Sequence, residues 1–210
     1  NEYHENFTAL NLNPKTIKFN HLDVKKNPIR KLAIGSSNGV SDPYAQFLQS
    51  TYFSSKSLKL QSLSKLAKIL IQIRNQLSGL PLDFGENPSK DKFWNASRVH
   101  HYPSGGGFMS RHTDPHFTQV MKNNNIPFLQ LVLVLSKKGK DFTNGGGYII
   151  PRENDKLINL EDEFSFGDIV IFDGSIEHGV DTVDSHIIPD LNSKNGRLSL
   201  MVGLYEVYKI

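Results

Sequence analysis

His112 and Asp114 stand two residues apart in the stretch Tyr102-Pro103-Ser104-Gly105-Gly106-Gly107-Phe108-Met109-Ser110-Arg111-His112-Thr113-Asp114-Pro115. In an extended strand, side chains at i and i+2 leave the same face. The spacing therefore predicts an imidazole and a carboxylate projecting into one space. Together they make two thirds of the 2-His-1-carboxylate triad that holds non-haem Fe(II) and leaves coordination positions open. The third donor must come from elsewhere, and His178 in Asp173-Gly174-Ser175-Ile176-Glu177-His178 is the natural candidate. Competing histidines are His100, His101, His116 and His186; His116 is too close to His112, and His186 sits in a polar stretch. A second His-x-Asp, His21-Leu22-Asp23, lacks the glycine-rich approach and precedes the helices, so it is set aside. With no cysteine in the chain, disulfides and thiolate metal sites are excluded.

The elements that must position these residues follow from periodicity. Phe93 to Tyr102 reads as a strand. Pro127 to Leu135 reads as another, with Leu129, Leu131, Leu133 and Leu135 on one face and Phe128, Gln130, Val132 and Val134 on the other. Tyr148 to Pro151 is short and extended. Ile169 to Phe172 is apolar throughout, which predicts burial on both faces. Arg197 to Tyr208 alternates: Leu198, Leu200, Val202 and Leu204 share one face, and Arg197, Ser199, Met201 and Gly203 share the other. A sheet backed by helices on one side and facing a partly polar cavity on the other accounts for that pattern. Arg197 on the cavity side needs an anionic partner, since guanidinium pairs bidentately with carboxylates. The alternative is an internal Asp or Glu.

Upstream, the first dozen residues are polar and arm-like. Thr16 to Leu22 reads as a short strand, Pro28 to Ile34 as a second, and residues 35–41 as a flexible loop. Asp42-Pro43 reads as an N-cap followed by proline at the first helical position, predicting a helix through Tyr44, Phe47, Leu48 and Tyr52. The clearest helix runs from about Leu58 to Leu77, with Leu63, Leu66, Leu70, Ile73 and Leu77 on one side; Gly79 and Pro81 end it. Residues 42–80 thus form a helical support, and residues 81–91 a connector. The domain organisation expected is a single domain over residues 1–210, with strands and supporting helices in 1–90 and a jelly-roll core carrying the metal site in 91–210.

The ordered set of motifs resembles the iron(II)/2-oxoglutarate-dependent oxygenases, and within them the prolyl-hydroxylase branch. There a Tyr-Pro-Gly-rich turn leads through an aromatic residue and Arg into His-x-Asp, and the distal histidine follows a Gly-Asp-x-x-x-Phe strand, here Gly167 to Phe172. The resemblance spans roughly Phe93 to Tyr208. It implies a mainly β, α+β fold: a double-stranded β-helix, or distorted cupin-like jelly roll, backed by N-terminal helices. It implies Fe(II) on His112, Asp114 and His178, with 2-oxoglutarate and O2 as co-substrates and ascorbate as a candidate stimulant. Arg197 would hold the distal carboxylate of 2-oxoglutarate, aided by Ser199. The branch often adds a Tyr to that carboxylate, but its counterpart here is Val134, so Gln130, Tyr102 and Ser199 are the candidate substitutes. The related halogenases lack the carboxylate ligand, so Asp114 favours hydroxylation. The gap from His178 to Arg197 is longer than in that branch, and Asp181 to Asn195 reads as a polar insert covering the substrate side together with residues 35–41.

The expected substrate is a small polar, amino-acid-like or peptidyl molecule. Trp94, Arg98, His100, Arg111, His116 and Tyr148 are candidate pocket residues. Protein prolyl hydroxylation, nucleic-acid dealkylation and a non-enzymatic cupin-like metal module are the alternatives. Dealkylases carry a second Arg six positions after the first, where this chain has Gly203. With 38% hydrophobic and 21% charged residues and a net charge of +3, the chain reads as soluble and globular. Lys56, Lys59, Lys65 and Lys68 read as a solvated helix face, so nucleic acid is not an expected partner. No apolar run approaches the roughly 18 residues that cross a bilayer, and no signal peptide is visible. A cytoplasmic location is expected. Asn6-Phe7-Thr8 and Asn95-Ala96-Ser97 read as chance matches to a glycosylation sequon.

Overall fold

The computed structural model describes residues 20–36, 44–153 and 155–207. The strands are β1 (Ile29–Ser36), β2 (Ala45–Phe53), β3 (Phe93–Pro103), β4 (Gly107–His112), β5 (Leu129–Val134), β6 (Gly146–Ile150), β7 (Ile158–Asn159), β8 (Ile169–Asp173), β9 (Glu177–Val183) and β10 (Gly196–Glu206). Helices are α1 (His21–Lys26), α2 (Gln61–Leu77), α3 (Pro88–Asp91), α4 (Pro115–Asn123) and α5 (Leu160–Glu163). Among the described residues, no helix is long and apolar enough to cross a membrane.

All pairings between these strands are antiparallel, in the order β7-β6-β9-β4-β2-β3-β10-β5-β8, with β1 added on β2. β2 is the seam. It pairs with β1 along its length, while its other edge is divided: Gln49 to Phe53 bond to β3, and Gln46 and Phe47 bond to β4. One chain segment therefore joins the β3-β10-β5-β8 half to the β4-β9-β6-β7 half, and the sheet curls into a double-stranded β-helix.

The alternation of β10 and β5 decides what lies on either side. Val99, Leu131, Leu133, Leu198, Leu200 and Val202 form the outer core with Leu63, Ala67, Leu70 and Ile71 of α2, and Leu129 and Leu135 pack at its margin. α2 has no side-chain cap at its N-terminus, so this packing, at roughly 2 kcal/mol per fully buried Leu or Ile, is what stabilises it. Its C-terminus closes as the Gly79 signal predicts. Gly79 adopts φ +68°, and the N–H groups of Gly79 and Leu80 donate to Gln76 and Asn75. On the other side of the sheet, Val132, Val134, Ile149, Leu160, Val170 and Ile176 pack the interior of the roll.

Four expectations are corrected. Residues 45–53 are strand, not helix, so α2 alone is the helical backing in 42–80. Tyr44, Phe47, Leu48 and Tyr52 fit a helical face, but Gln46, Leu48, Ser50 and Tyr52 also alternate, and it is these that face the interior cavity. The Asp42-Pro43 cap lies outside the described residues. His21 and Leu22 open α1 rather than ending a strand. The Asn20 side chain accepts from the N–H groups of Leu22 and Asp23, and Asp23 accepts from the Asn20 N–H at 3.0 Å, a reciprocal capping box. The rest of that expected strand, residues 16–19, lies outside the described residues. β8 is buried on one face only: Ile169 and Ile171 are 36% and 40% exposed because the α2 packing that covers their partners Leu133 and Leu131 on β5 does not extend over β8.

The polar insert is the fourth correction. β9 continues through Val183, and residues 184–195 lie beyond the end of β9 opposite to His178. They pack on the glycine turn, where a Cβ at Gly105 would collide with Ile188 and Pro189, and none of them lines the central cavity. Asp184 pins the segment. Only 2% exposed, it accepts from Ser104 Oγ (2.7 Å), Thr143 Oγ1 (2.6 Å) and the N–H groups of Thr143 and Asn144. Burial alone would raise its pKa, but these donors outweigh burial and bring it from 3.8 to about 2. A depressed carboxylate stabilises the fold above its ordinary pKa and loses that contribution as pH falls through the folded value. Asp184→Asn is therefore expected to lose about 2 kcal/mol of stability at neutral pH, with the gap to the native protein closing between pH 3.8 and about 2. Urea unfolding across that range tests it; a gap independent of pH would show that the charge is not what matters.

Candidate metal centre and cavity

The strand β4 ends at His112, and Asp114 stands at the N-cap of α4, with Pro115 at the first helical position. The two residues thus converge from a strand end and a helix start rather than from one extended strand. Asp114 gives its backbone carbonyl to Thr118, through both N–H and Oγ1. Its carboxylate does not cap the helix and accepts instead from Gln130 Nε2 at 2.9 Å.

His178 enters from β9, directly opposite His112 in the β4–β9 pairing, with ring centroids 4.4 Å apart. Both rings are held in the same way. His112 Nδ1 donates to the Ser110 carbonyl (2.8 Å) and His178 Nδ1 to the Ile176 carbonyl (3.0 Å). A carbonyl can only accept, so each neutral ring carries its proton on Nδ1 and its lone pair on Nε2. One donor atom from each of His112, Asp114 and His178 lies within 4.8 Å of the others, and His178 Nε2 is 3.6 Å from Asp114 Oδ2. Two neutral imidazole nitrogens and one carboxylate oxygen suit a borderline divalent first-row ion such as Fe(II). Tyr44 stacks on His112, with centroids 4.0 Å apart. Burial, then the charge of Asp114, pushes its phenol up to about 12, so it is protonated at neutral pH.

Gln130, a candidate 2-oxoglutarate contact, lines the cavity and donates Nε2 to the Asp114 carboxylate. A group that orients a ligand carboxylate typically contributes 10–100-fold in metal affinity. Gln130→Leu should weaken Fe(II) binding by roughly that factor in an anaerobic titration. An unchanged affinity would reduce the Gln130 contact to packing.

The triad borders a cavity of about 480 Å³, a volume suited to a small-molecule site. β3 contributes Arg98, His100 and Tyr102 to its wall, and β10 contributes Arg197, Ser199 and Met201. Register places Arg197 opposite Tyr102, Ser199 opposite His100, and Met201 opposite Arg98. Arg197 is buried and Nε donates to Glu161, whose side chain is 3% exposed; Glu161 Oε2 also accepts from the Gly147 N–H at 2.6 Å. The internal carboxylate considered for Arg197 therefore exists, on one edge of the guanidinium. Nη1 points to Ser199 Oγ at 3.4 Å, and the Tyr102 ring lies 5.7 Å from the guanidinium carbon. Nη2 occupies the space a Cβ at Gly147 would take. Burial first, then Arg98 and Arg197, holds His100 well below its usual pKa, so it is neutral. Val134 pairs with Ser199 and packs inward among aliphatics.

The remaining candidates divide. Tyr148 lines the cavity, and its hydroxyl fills the space beside His178 that a Cβ at Gly179 would need. Arg111 does not line it; exposed, it pairs with Glu177 across β4 and β9. Trp94 and His116 line a neighbouring chamber of about 300 Å³ with Tyr52, Phe117 and Tyr205. His101 is fully buried with Nε2 on the Asn195 carbonyl (3.1 Å), His186 is exposed, and His21 lies on α1 against Trp94. Sequence reasoning missed Tyr44, Glu161 and Tyr205. Tyr205 extends the Arg197-Ser199-Met201-Gly203 alternation and was available from it. Glu161 is one of three consecutive acids in α5, and nothing in that run marks the buried one.

No family model matches the chain, and no curated protein matches it in sequence. Its fold is shared with the crystal structure of a prolyl-4-hydroxylase from Pseudomonas putida. The TM-score is 0.52 over 78% of this chain and 74% of that one, at 16% sequence identity.

Proposed function

We propose that this protein is an Fe(II)- and 2-oxoglutarate-dependent oxygenase that hydroxylates a C–H bond of a small or peptidyl substrate. The observation that carries the reading is the convergence of His112, Asp114 and His178 on one cavity with both Nε2 lone pairs presented. His112, Asp114 and His178 hold the metal. Bound Fe(II), with 2-oxoglutarate and O2, supplies the oxidation, delivering one oxygen atom to substrate while 2-oxoglutarate leaves as succinate and CO2. Arg197 offers its remaining N–H groups to the distal carboxylate of 2-oxoglutarate, with Ser199 and the Tyr102 ring fixing its place. Gln130 orients Asp114, and the apolar lining from Val132, Ile149, Leu160 and Phe172 limits water. A metal that served only structure would have no need of a cavity of this size walled by two guanidinium groups.

The test is an anaerobic titration of the purified protein with Fe(II), then with 2-oxoglutarate, followed by succinate measurement in air. One equivalent of each should bind, with slow succinate formation that needs both. Iron binding without any 2-oxoglutarate binding would turn the reading towards a metal module of another kind.

A further inference from the structure

Two arginines wall the cavity, and they differ in charge balance. Arg197 is neutralised by Glu161. Arg98 has no direct ion pair with Asp or Glu among the described residues, although the charge of Asp114, a proposed metal ligand, acts on it. Its Nη1 donates to the Tyr205 hydroxyl, while its Nε is sealed from solvent and has no hydrogen-bond partner. The side chain lines the cavity, so a ligand carboxylate there would meet a guanidinium that no acid of the described residues pairs directly.

The two guanidinium groups also lie at different levels. Arg98 is opposite Met201 and Arg197 opposite Tyr102, four residues along β3, which is about 13 Å of strand. Asp114 and Gln130 share with Arg98, Gly203 and Tyr205 a lining that does not include Arg197, so the Asp114 side of the triad lies at the Arg98 level. Gly203 has no side chain to crowd this level; a Cβ there would strike the Tyr205 ring. From Arg98 the wall continues outward through Tyr52, Phe117 and Tyr205 into the 300 Å³ chamber lined by Trp94 and Val120. Tyr205 is in edge contact with Phe117 (4.9 Å) and tilted against Trp94 (5.4 Å).

Resting on the oxygenase reading, in which the Arg197 end takes 2-oxoglutarate, we propose that Arg98 receives a carboxylate of the primary substrate and that the aromatic chamber takes its apolar end. The substrate class is then an aromatic or aliphatic carboxylic acid, held by its acid group beside the metal.

The probe is 3-phenylpropionate against the neutral 3-phenylpropionamide, titrated into metal-free protein and followed by the fluorescence of Trp94, the single tryptophan of the chain. The acid should bind about tenfold or more tighter than the amide, as a charge-assisted guanidinium contact provides. In Arg98→Gln the ratio should fall to near one, and Arg98→Lys should restore part of it. Equal affinities in the native protein would overturn the proposal without any variant. So would a preference for the acid that survives in Arg98→Gln. An anaerobic 2-oxoglutarate titration of the Fe(II)-loaded variants separates the remaining case: if Arg98→Gln weakens 2-oxoglutarate more than phenylpropionate, Arg98 is the co-substrate anchor and the proposal fails. If the native protein binds neither Fe(II) nor 2-oxoglutarate yet keeps the acid preference, the oxygenase reading fails while the anion site stands.

Discussion

Alanine at position 178 is expected to lower Fe(II) affinity by on the order of a hundredfold or more, and to abolish succinate formation, in a protein that still folds. The lower bound follows from the 10–100-fold typically lost when only a group supporting a ligand is removed. His178 is one of three donors within 4.8 Å. The fold should tolerate its loss because β9 is bonded on both edges, to β4 and to β6, and those ladders are backbone. The side chain's own contribution to stability is about one hydrogen bond, Nδ1 to Ile176, or roughly 1 kcal/mol. His186→Ala is the control, since His186 is exposed and remote from the cavity lining. Metal stoichiometry and melting temperature should be read on the same samples. Full iron binding by His178→Ala would move the third ligand elsewhere.

The second large effect concerns Arg197. On the proposed function, truncation would remove a charge-assisted contact to the co-substrate, with an expected loss of about 2–5 kcal/mol in 2-oxoglutarate binding. It also leaves Glu161, 3% exposed, as a buried charge without its cation. Breaking one side of such a pair typically costs about 3–5 kcal/mol of stability, whereas replacing both members by apolar groups is often neutral. Arg197→Ala should therefore be strongly destabilised. Arg197→Met combined with Glu161→Leu should recover stability in chemical unfolding while 2-oxoglutarate binding stays lost. Recovery of co-substrate binding in the double variant would show that another cation anchors it, with Arg98 next in line.

How far the fold was legible depends on whether one signal was enough at each point. β10 and β5 were readable because four aliphatics recur at every second position opposite polar or smaller residues, and only a two-sided sheet explains that. α2 was readable from its leucines and the Gly79 stop. β2 was misread because nine residues with Tyr, Phe and Leu at mixed spacings satisfy a helix and a strand equally; what decides is pairing with β1, β3 and β4, which no local pattern contains. The same holds in the cavity. His112, Asp114 and Arg197 could be singled out because each needs a partner its neighbours cannot supply. Glu161 could not, because the reason it is buried is Arg197, and the two are brought together only by the closed roll. The insert at 181–195 was read from its place after His178, its length and its composition as a cover for the site. Asp184 instead ties it to Ser104 beside the glycine turn and to Thr143 and Asn144, at the other end of β9.

The pairing of β3 with β10 also bears on how the chain reaches this structure. The two strands meet with about 100 residues of chain between them, and side by side they build one wall of the cavity, with Arg98, His100 and Tyr102 from β3 and Arg197 and Ser199 from β10. Closing a loop of that size early is entropically unfavourable, and topologies ruled by such distant contacts fold slowly. Hairpins such as β1–β2 can form first. Until β10 docks, Arg98 and His100 stand on an unpaired edge beside α2's uncovered leucines, a species prone to association. Refolding should accordingly show the β3–β10 pairing, read by the emission of Trp94 opposite Tyr205, appearing in the slowest phase.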